Sequence, residues 1–252
     1  MPAPIVLLTD FGFSEYVGVM KGVIARHAPH APVIDLCHDV GAHGVREGAW
    51  LLAQCYRWFP EGSVFLAVVD PGVGTARRAL AVETEAGYFV GPDNGLLYPA
   101  ALEAGIRRAV CLKPLPGASS TFHGRDVFSP AAARLACGVP LELLGESLER
   151  PKERLIPLSF HRDGREGEIV RIDRFGNCIT NLPPIPGKVE YDVAIEVGEI
   201  PPRLRFYTTY EEAPHGAPFL VESSYGTLEI AVREASAAER IKTRVASRVV
   251  LA

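Results

Sequence analysis

The chain carries none of the short local devices that mark a metal ribbon, a disulfide scaffold or a triphosphate site. Its five cysteines (Cys37, Cys55, Cys111, Cys137 and Cys178) are odd in number and widely spaced, with no Cys-x-x-Cys pair, which argues against both a zinc ribbon and a disulfide framework. Most sit among apolar neighbours, as in Ala109-Val110-Cys111-Leu112, and are expected to behave as small core residues. There is no Walker A sequence, and Gly72-Val73-Gly74 continues into Ala76-Arg77, so the dinucleotide-binding pattern fails at its third glycine. No apolar run approaches the roughly eighteen residues that span a bilayer. Met1-Pro2-Ala3-Pro4 leads straight into Ile5-Val6-Leu7-Leu8 without a basic segment, so no secretory signal is expected and the cytoplasm is the default location. Positive charge is not in surplus either. With 26 basic against 30 acidic residues and a net charge of −4, nothing marks a nucleic-acid surface, and neither nucleic acid nor membrane is an expected partner.

What the chain does have is enough apolar material for a sizeable core: 252 residues, 48% hydrophobic and 22% charged, ordinary for one large or two medium globular domains. Strand-like and helix-like segments alternate in the first part. Strands are expected at Ile5–Thr9, Val33–Leu36, Val64–Val69, Ala79–Thr84, Tyr88–Val90 and Ala109–Leu112. Helices are expected after Ser14 as N-cap, from Val45 to Trp58, near Leu97–Glu103 and over Pro130–Ala136. This βα alternation predicts a largely parallel sheet with helices on both faces. Around residue 160 the pattern changes. Arg162-Asp163-Gly164-Arg165-Glu166-Gly167 reads as a linker. Six strand-like segments follow, Glu168–Ile172, Cys178–Asn181, Tyr191–Val197, Phe219–Glu222, Thr227–Val232 and Ser247–Leu251, with one helical stretch at Ser236–Ile241. They predict a small β-barrel or sandwich.

The chemistry-bearing residues gather at strand ends. Asp70 closes the apolar run Ser63–Val69 and is followed by the turn Pro71-Gly72-Val73-Gly74, with Arg77 and Arg78 near enough for one guanidinium to return to the carboxylate. A structural Asp–Arg pair capping a turn would look the same. Asp10 ends the first strand as Asp70 ends a later one, and two such carboxylates could bind ribose hydroxyls or a metal. Nearby His and Cys do not fall at ligand spacing, so metal is the lesser reading. Gly91-Pro92-Asp93-Asn94-Gly95 reads as a turn. His123 lies in Phe122-His123-Gly124-Arg125-Asp126, just before a helix for which Asp126 or Ser129 is a plausible N-cap; it could shuttle a proton, hold a water or be structural. Asp173-Arg174-Phe175-Gly176-Asn177 combines a carboxylate, an aromatic face and an amide, the set that a nucleoside or amino acid needs. Glu222-Ser223-Ser224-Tyr225-Gly226 is a hydroxyl-rich turn that could cap an anionic group or merely join two strands.

Taken together, Leu8-Thr9-Asp10-Phe11-Gly12, Val69-Asp70-Pro71-Gly72-Val73-Gly74-Thr75, Gly91-Pro92-Asp93-Asn94-Gly95-Leu96-Leu97, Thr121-Phe122-His123-Gly124-Arg125-Asp126 and Asp173-Arg174-Phe175-Gly176-Asn177 resemble the S-adenosyl-L-methionine (SAM) hydrolase family. It is also called SAM hydroxide adenosyltransferase and is related to fluorinase and chlorinase. The motifs fall in the family's order over nearly the whole chain. The resemblance implies an N-terminal three-layer α/β domain with a mostly parallel sheet, residues 1–160, and a smaller C-terminal all-β barrel, residues 166–252. It also implies a homotrimer with sites between subunits, no cofactor and no metal, and the reaction of SAM with water to give adenosine and L-methionine.

The same resemblance assigns residues. Asp70, Arg77 and His123 match the family's set around the nucleophilic water, and Asp10 its carboxylate on the ribose hydroxyls. Asp173 resembles the residue facing the methionine ammonium, and Ser224 the one at its carboxylate. Phe175, Asn177, Tyr210, Glu229 and Val232 resemble the adenine- and methionine-facing parts of the barrel. The related halogenases carry an aromatic residue where Asp70 stands, a longer insertion where this chain has Glu85-Ala86-Gly87, and an Arg where it has Tyr225. The first two departures favour water over halide as nucleophile. A metal-dependent nucleoside or phosphate hydrolase using Asp10 and Asp70, and a non-catalytic nucleoside-binding protein, are the competing expectations.

Overall fold

Short apolar runs closed by turn residues become the strands of two sheets in the computed structural model of the chain, which describes residues 2–114, 116–160 and 165–252. The chain divides into two compact units, Met1–Leu158 and Ser159–Ala252.

The first unit runs β1 (Ile5–Thr9), α1 (Glu15–His27), β2 (Val33–Cys37), α2 (Val45–Cys55), β3 (Ser63–Val68), β4 (Ala79–Thr84), β5 (Gly87–Pro92), α3 (Tyr98–Glu103), β6 (Ile106–Leu112), α4 (Ser129–Ala136), β7 (Gly145–Ser147) and α5 (Pro151–Arg154). Its sheet has the order β2-β1-β3-β5-β4-β6-β7. The strands β2, β1, β3 and β5 are parallel. β4 reverses between β5 and β6, so β6 runs with the parallel set, and β7 reverses again at the edge. β1 and β3 are buried along their whole lengths, as central parallel strands covered on both faces must be.

Successive side chains leave opposite faces of a strand. Ile5, Leu7, Val64, Leu66 and Val68 join Met20 and Ile24 of α1 and Ala132 of α4 in one core. On the other face Phe65 stacks on Phe89 at 4.9 Å, with Tyr56 edge-on to Phe89 at 5.9 Å, and Gly48 of α2 lies against Leu8 and Val69. The result is three layers, as the βα alternation predicts.

Three local expectations change. Ser14 stands at the α1 N-cap position, but its hydroxyl makes no capping bond. The Val45–Trp58 helix keeps α-geometry only to Cys55 and tightens into a 3₁₀ turn over Tyr56–Trp58. Neither Asp126 nor Ser129 caps α4, because a π-helical turn over Gly124–Phe128 runs directly into it and the backbone is already helical at Phe128. The cysteines also differ from expectation. Cys178 is buried, with its thiol pushed up to about 12 by burial, whereas Cys37, Cys55 and Cys111 are half-buried and Cys137, just past α4, is exposed.

The second unit contains β8 (Glu166–Ile172), β9 (Cys178–Thr180), β10 (Glu190–Ile195), β11 (Arg203–Arg205), β12 (Pro218–Glu222), β13 (Leu228–Val232), α6 (Ala237–Ile241) and β14 (Arg248–Leu251). Arg162–Gly164 of the expected linker lies outside the described residues. Glu166 and Gly167 are strand rather than linker, because they pair with Val250 and Val249 of β14. The sheet order is β11-β10-β14-β8-β9-β13-β12, antiparallel throughout. A bridge from Phe206 to Leu220 joins its two ends, leaving a nearly closed barrel, which removes the exposed edges of an open sheet. Along β10 exposed Glu190, Asp192 and Ala194 alternate with buried Tyr191 and Val193, the period of a strand with one face inside. Ser236 accepts from the Glu239 N–H at 3.1 Å and so caps α6.

Candidate active site

In the first unit the carboxyl ends of β1 and β3, which are neighbours in the sheet, carry Asp10 and Asp70 into one cavity of about 300 Å³. Of the two candidate guanidinium groups, Arg77 is the one that returns to Asp70. Its Nε donates to Asp70 Oδ1 at 2.9 Å and its Nη2 to Asp70 Oδ2. Arg78 pairs instead with Asp93, donating Nε to Oδ2 at 2.7 Å. Both members of the Asp70–Arg77 pair are nearly dry, with side chains 6% and 9% exposed. A buried charge pair holds only when its geometry is good and its remaining hydrogens are satisfied. Here they are: Arg77 Nη2 also lies 2.9 Å from His123 Nδ1, and the guanidinium sits 5.2 Å from the centre of the Phe128 ring.

A guanidinium has donors and no acceptor. His123 Nδ1 must therefore be the unprotonated nitrogen, and the ring proton sits on Nε2. Burial, followed by the nearby Arg77 cation, holds the His123 pKa below its ordinary 6.5, against weaker upward pulls from Asp70 and Asp126.

The loops bearing these groups are locked to one another. Gly74 has φ +78°, and a Cβ there would stand 2.5 Å from the Ser120 carbonyl oxygen, so the loop carrying Asp70 crosses the one leading to His123 at a place only glycine fits. Asn94 Nδ2 donates to the Val69 carbonyl at 2.8 Å, fixing the residue before Asp70. Asp126 accepts from the Ser119 N–H at 2.8 Å and pairs with Arg125. His123 itself begins the π-helical turn, whose Gly124 carbonyl accepts from the buried Ser129 hydroxyl at 2.7 Å. Such single turns are frequent at functional sites.

Asp10 Oδ2 accepts from the backbone N–H of His43 at 2.9 Å, and His43 holds a left-handed φ of 63° to reach it. Phe11, Tyr16 and Phe122 complete the wall, each within 5.1–6.1 Å of the other two rings. His43 had no signal in the sequence beyond a histidine before a glycine, and Asn94 stood in a family motif that read locally only as a turn. Their parts depend on where distant backbone passes.

The second unit has its own cavity, about 770 Å³, whose wall includes Asp173, Phe175, Asn177, Tyr210 and Val232. Asp173 organises its own loop: Oδ1 accepts from the N–H groups of Phe175 and Asn177, each at 2.9 Å, and Oδ2 from Asn177 Nδ2 at 3.0 Å. That leaves Asn177 Oδ1 as the acceptor it can offer a ligand, and Phe175, which is 69% exposed, as a ring face. Glu229 lies buried behind the wall and accepts from the Tyr210 hydroxyl at 2.6 Å. Burial raises the Glu229 pKa; the Tyr210 bond pulls it down and Asp173 pushes it up. Ser224 sits exposed on the turn between β12 and β13, apart from the residues just described.

Comparison with known proteins matches residues 5–145 to the SAM hydroxide adenosyltransferase N-terminal domain and residues 167–250 to the C-terminal domain of the same family. The chain is 45% identical to an (R)-S-adenosyl-L-methionine hydrolase of Thermus thermophilus, over 94% of this chain and 95% of that one. It is 28% identical to a fluorinase of Nocardia brasiliensis, over 93% and 91%. A solved structure of a conserved protein from Thermotoga maritima superposes with a TM-score of 0.87 at 33% identity, covering 98% of this chain and all of that one. Two domain matches in order and near-complete coverage by relatives give one conclusion: the chain belongs to the SAM hydroxide adenosyltransferase family.

Proposed function

We propose that the chain hydrolyses (R)-S-adenosyl-L-methionine to adenosine and L-methionine, by in-line attack of water on the ribose C5′ carbon. The observation that carries this reading is the closed Asp70–Arg77–His123 set facing Asp10 across one cavity. The substrate is taken from the names of the hydrolase relatives. The leaving group needs no help, because the C5′–S electron pair converts a sulfonium to a neutral thioether. Water is the weak partner, and the site's groups address it. Asp70, kept in place by two Arg77 bonds, still has lone pairs to take a water proton. His123 offers an Nε2–H to one water lone pair, so the other points at carbon. The Arg77 cation favours hydroxide over water in a dry site. The new O–C5′ bond forms as C5′–S breaks, and the proton leaves through Asp70. Asp10 holds the ribose hydroxyls, which makes the attack a positioning problem.

In the barrel, Asn177 Oδ1 and the Phe175 ring suit the amino group and face of adenine. Tyr210, Glu229 and Val232 form the rest of that subsite, and Asp173 and Ser224 are assigned to the methionine ammonium and carboxylate. The domains are taken as 1–160 and 166–252. Because Asp10 and Asp70 lie in the first and Asp173 and Asn177 in the second, we read the working enzyme as a cytoplasmic homotrimer that joins them between subunits, which light scattering would test. Among the described residues no helix is long and apolar enough to cross a membrane.

The deciding experiment incubates metal-free protein with each sulfonium epimer in oxygen-18 water. Label at the 5′ oxygen of adenosine supports the mechanism. SAM that binds but is recovered intact overturns it in favour of a binding protein.

A further inference from the structure

Behind Asp10 lies a hydrogen-bonded series that the proposed mechanism does not use. Lys21 Nζ donates to Asp35 Oδ2 at 2.6 Å, Asp35 Oδ1 lies 3.0 Å from His38 Nε2, and His38 Nδ1 lies 2.9 Å from Thr9 Oγ1. A carboxylate only accepts, so His38 donates from Nε2, and its Nδ1 faces the Thr9 hydroxyl. Thr9 is fully buried, and its oxygen accepts in turn from the Phe11 N–H at 3.2 Å. The main chain repeats the grip, since the Gly12 N–H donates to the His38 carbonyl at 2.7 Å. His38 therefore holds both ends of the four-residue stretch Thr9–Gly12. Asp10 lies between the two holds, and His43, five residues beyond His38, supplies the N–H that bonds its carboxylate.

We infer that His38 is a positioning residue for Asp10, fixing that carboxylate through Thr9 on one side and Gly12 on the other. This rests on the reading of Asp10 as the ribose ligand. His38 is not among the residues that line the cavity of Asp10, Asp70 and His123 and acts through Asp10, so its loss is felt in binding rather than in chemistry.

The test measures KM and kcat with SAM, and adenosine affinity by calorimetry, for His38→Ala, His38→Asn, Thr9→Val, Asp10→Ala and the His38→Ala/Asp10→Ala double variant. His38→Ala is expected to raise KM and weaken adenosine about tenfold with kcat within about twofold, as for a group displaced by a fraction of an ångström. Asn places an oxygen near the Nδ1 position and restores most of the affinity. Thr9→Val cuts the same bond without altering His38 and reproduces the KM rise, which keeps the test valid if His38→Ala folds poorly. The double variant is no worse than Asp10→Ala alone, the signature of one coupled unit. A raised KM in Asp10→Ala with an unchanged KM in both Thr9→Val and His38→Ala, or a fall in kcat alone, overturns the inference. An unchanged KM in Asp10→Ala overturns the ribose assignment, and the inference with it.

Discussion

Arg77 Nη2 lies 2.9 Å from His123 Nδ1, and because the guanidinium can only donate, this single contact decides the protonation of the imidazole. The ring is neutral, with its hydrogen on Nε2. Protonating His123 would set a second N–H against the Arg77 N–H, in agreement with the lowered pKa that burial and the Arg77 charge produce.

The first prediction is the acid limb of the reaction. His123 has its ordinary pKa of 6.5 lowered in the folded chain, so log kcat stays level as pH falls to 6.5 and declines only below it. The sign for stability is the same. The unfolded chain binds the proton more readily, so the His123 contribution is complete above pH 6.5 and is lost as pH falls from there toward the folded pKa. A kcat profile centred at 6.5 or higher would remove the Arg77–His123 bond from the mechanism.

Replacing Arg77 by lysine keeps the charge and loses the fork. A single ammonium cannot bridge both Asp70 oxygens and His123 Nδ1, so kcat is expected to fall about a hundredfold, on the order of 3 kcal/mol. Steady-state kinetics near wild type would show that only the charge matters.

Asp70→Ala and His123→Ala separate chemistry from binding. Both are expected to cut kcat by roughly 10² to 10³, with adenosine affinity, measured by calorimetry, near the wild-type value. Equal losses of rate and affinity in a folded variant would put these residues in substrate binding instead.

Ser129→Ala tests the π-helical turn. It removes the 2.7 Å hydroxyl bond to the Gly124 carbonyl, which keeps its bond from the Ser129 N–H, a cost of about 0.5–1.5 kcal/mol, read as a lower denaturation midpoint. The rate should fall too, since His123 opens that turn. A stable variant with full activity would show that the turn holds without the serine.

Glu229→Gln probes the barrel. Glu229 has its pKa raised above 4.5 by burial, so the folded state favours the protonated carboxyl. Its stabilising contribution is complete below pH 4.5 and is lost as pH rises through the folded pKa. Glutamine keeps an oxygen for Tyr210 and has no proton to lose, so the variant should melt above wild type near neutral pH, with the gap closing toward pH 4.5. Parallel melting profiles would refute the assignment.

The strands and most helices were legible because hydrophobic periodicity and turn residues act locally. Ile5–Thr9 and Ser63–Val68 are apolar throughout since both faces are covered, and the switch to short alternating strands after residue 160 announced the second unit. The family, too, was legible in five motifs. β7, α5 and β11 were not, being three or four residues long and too short to carry a period. Thr227–Val232 was legible as a strand, but its burial was not. Leu228–Val232 is buried on both faces, because Tyr210 bonds Glu229 and Tyr207 packs against the cluster that holds Ala231.

By itself, the sequence determined which residue types stand at the ends of which strands: Asp10, Asp70, a nearby pair of arginines, and His123 before a helix. It did not decide that Arg77 rather than Arg78 meets Asp70, that His123 is a neutral donor, or that His38 and His43 close around Asp10. Those outcomes depend on contacts between segments tens of residues apart, 46 in the case of Arg77 and His123. Hydrogen bonding and desolvation act at a few ångströms in space and carry no periodic trace along the chain, so only the tertiary structure settled them.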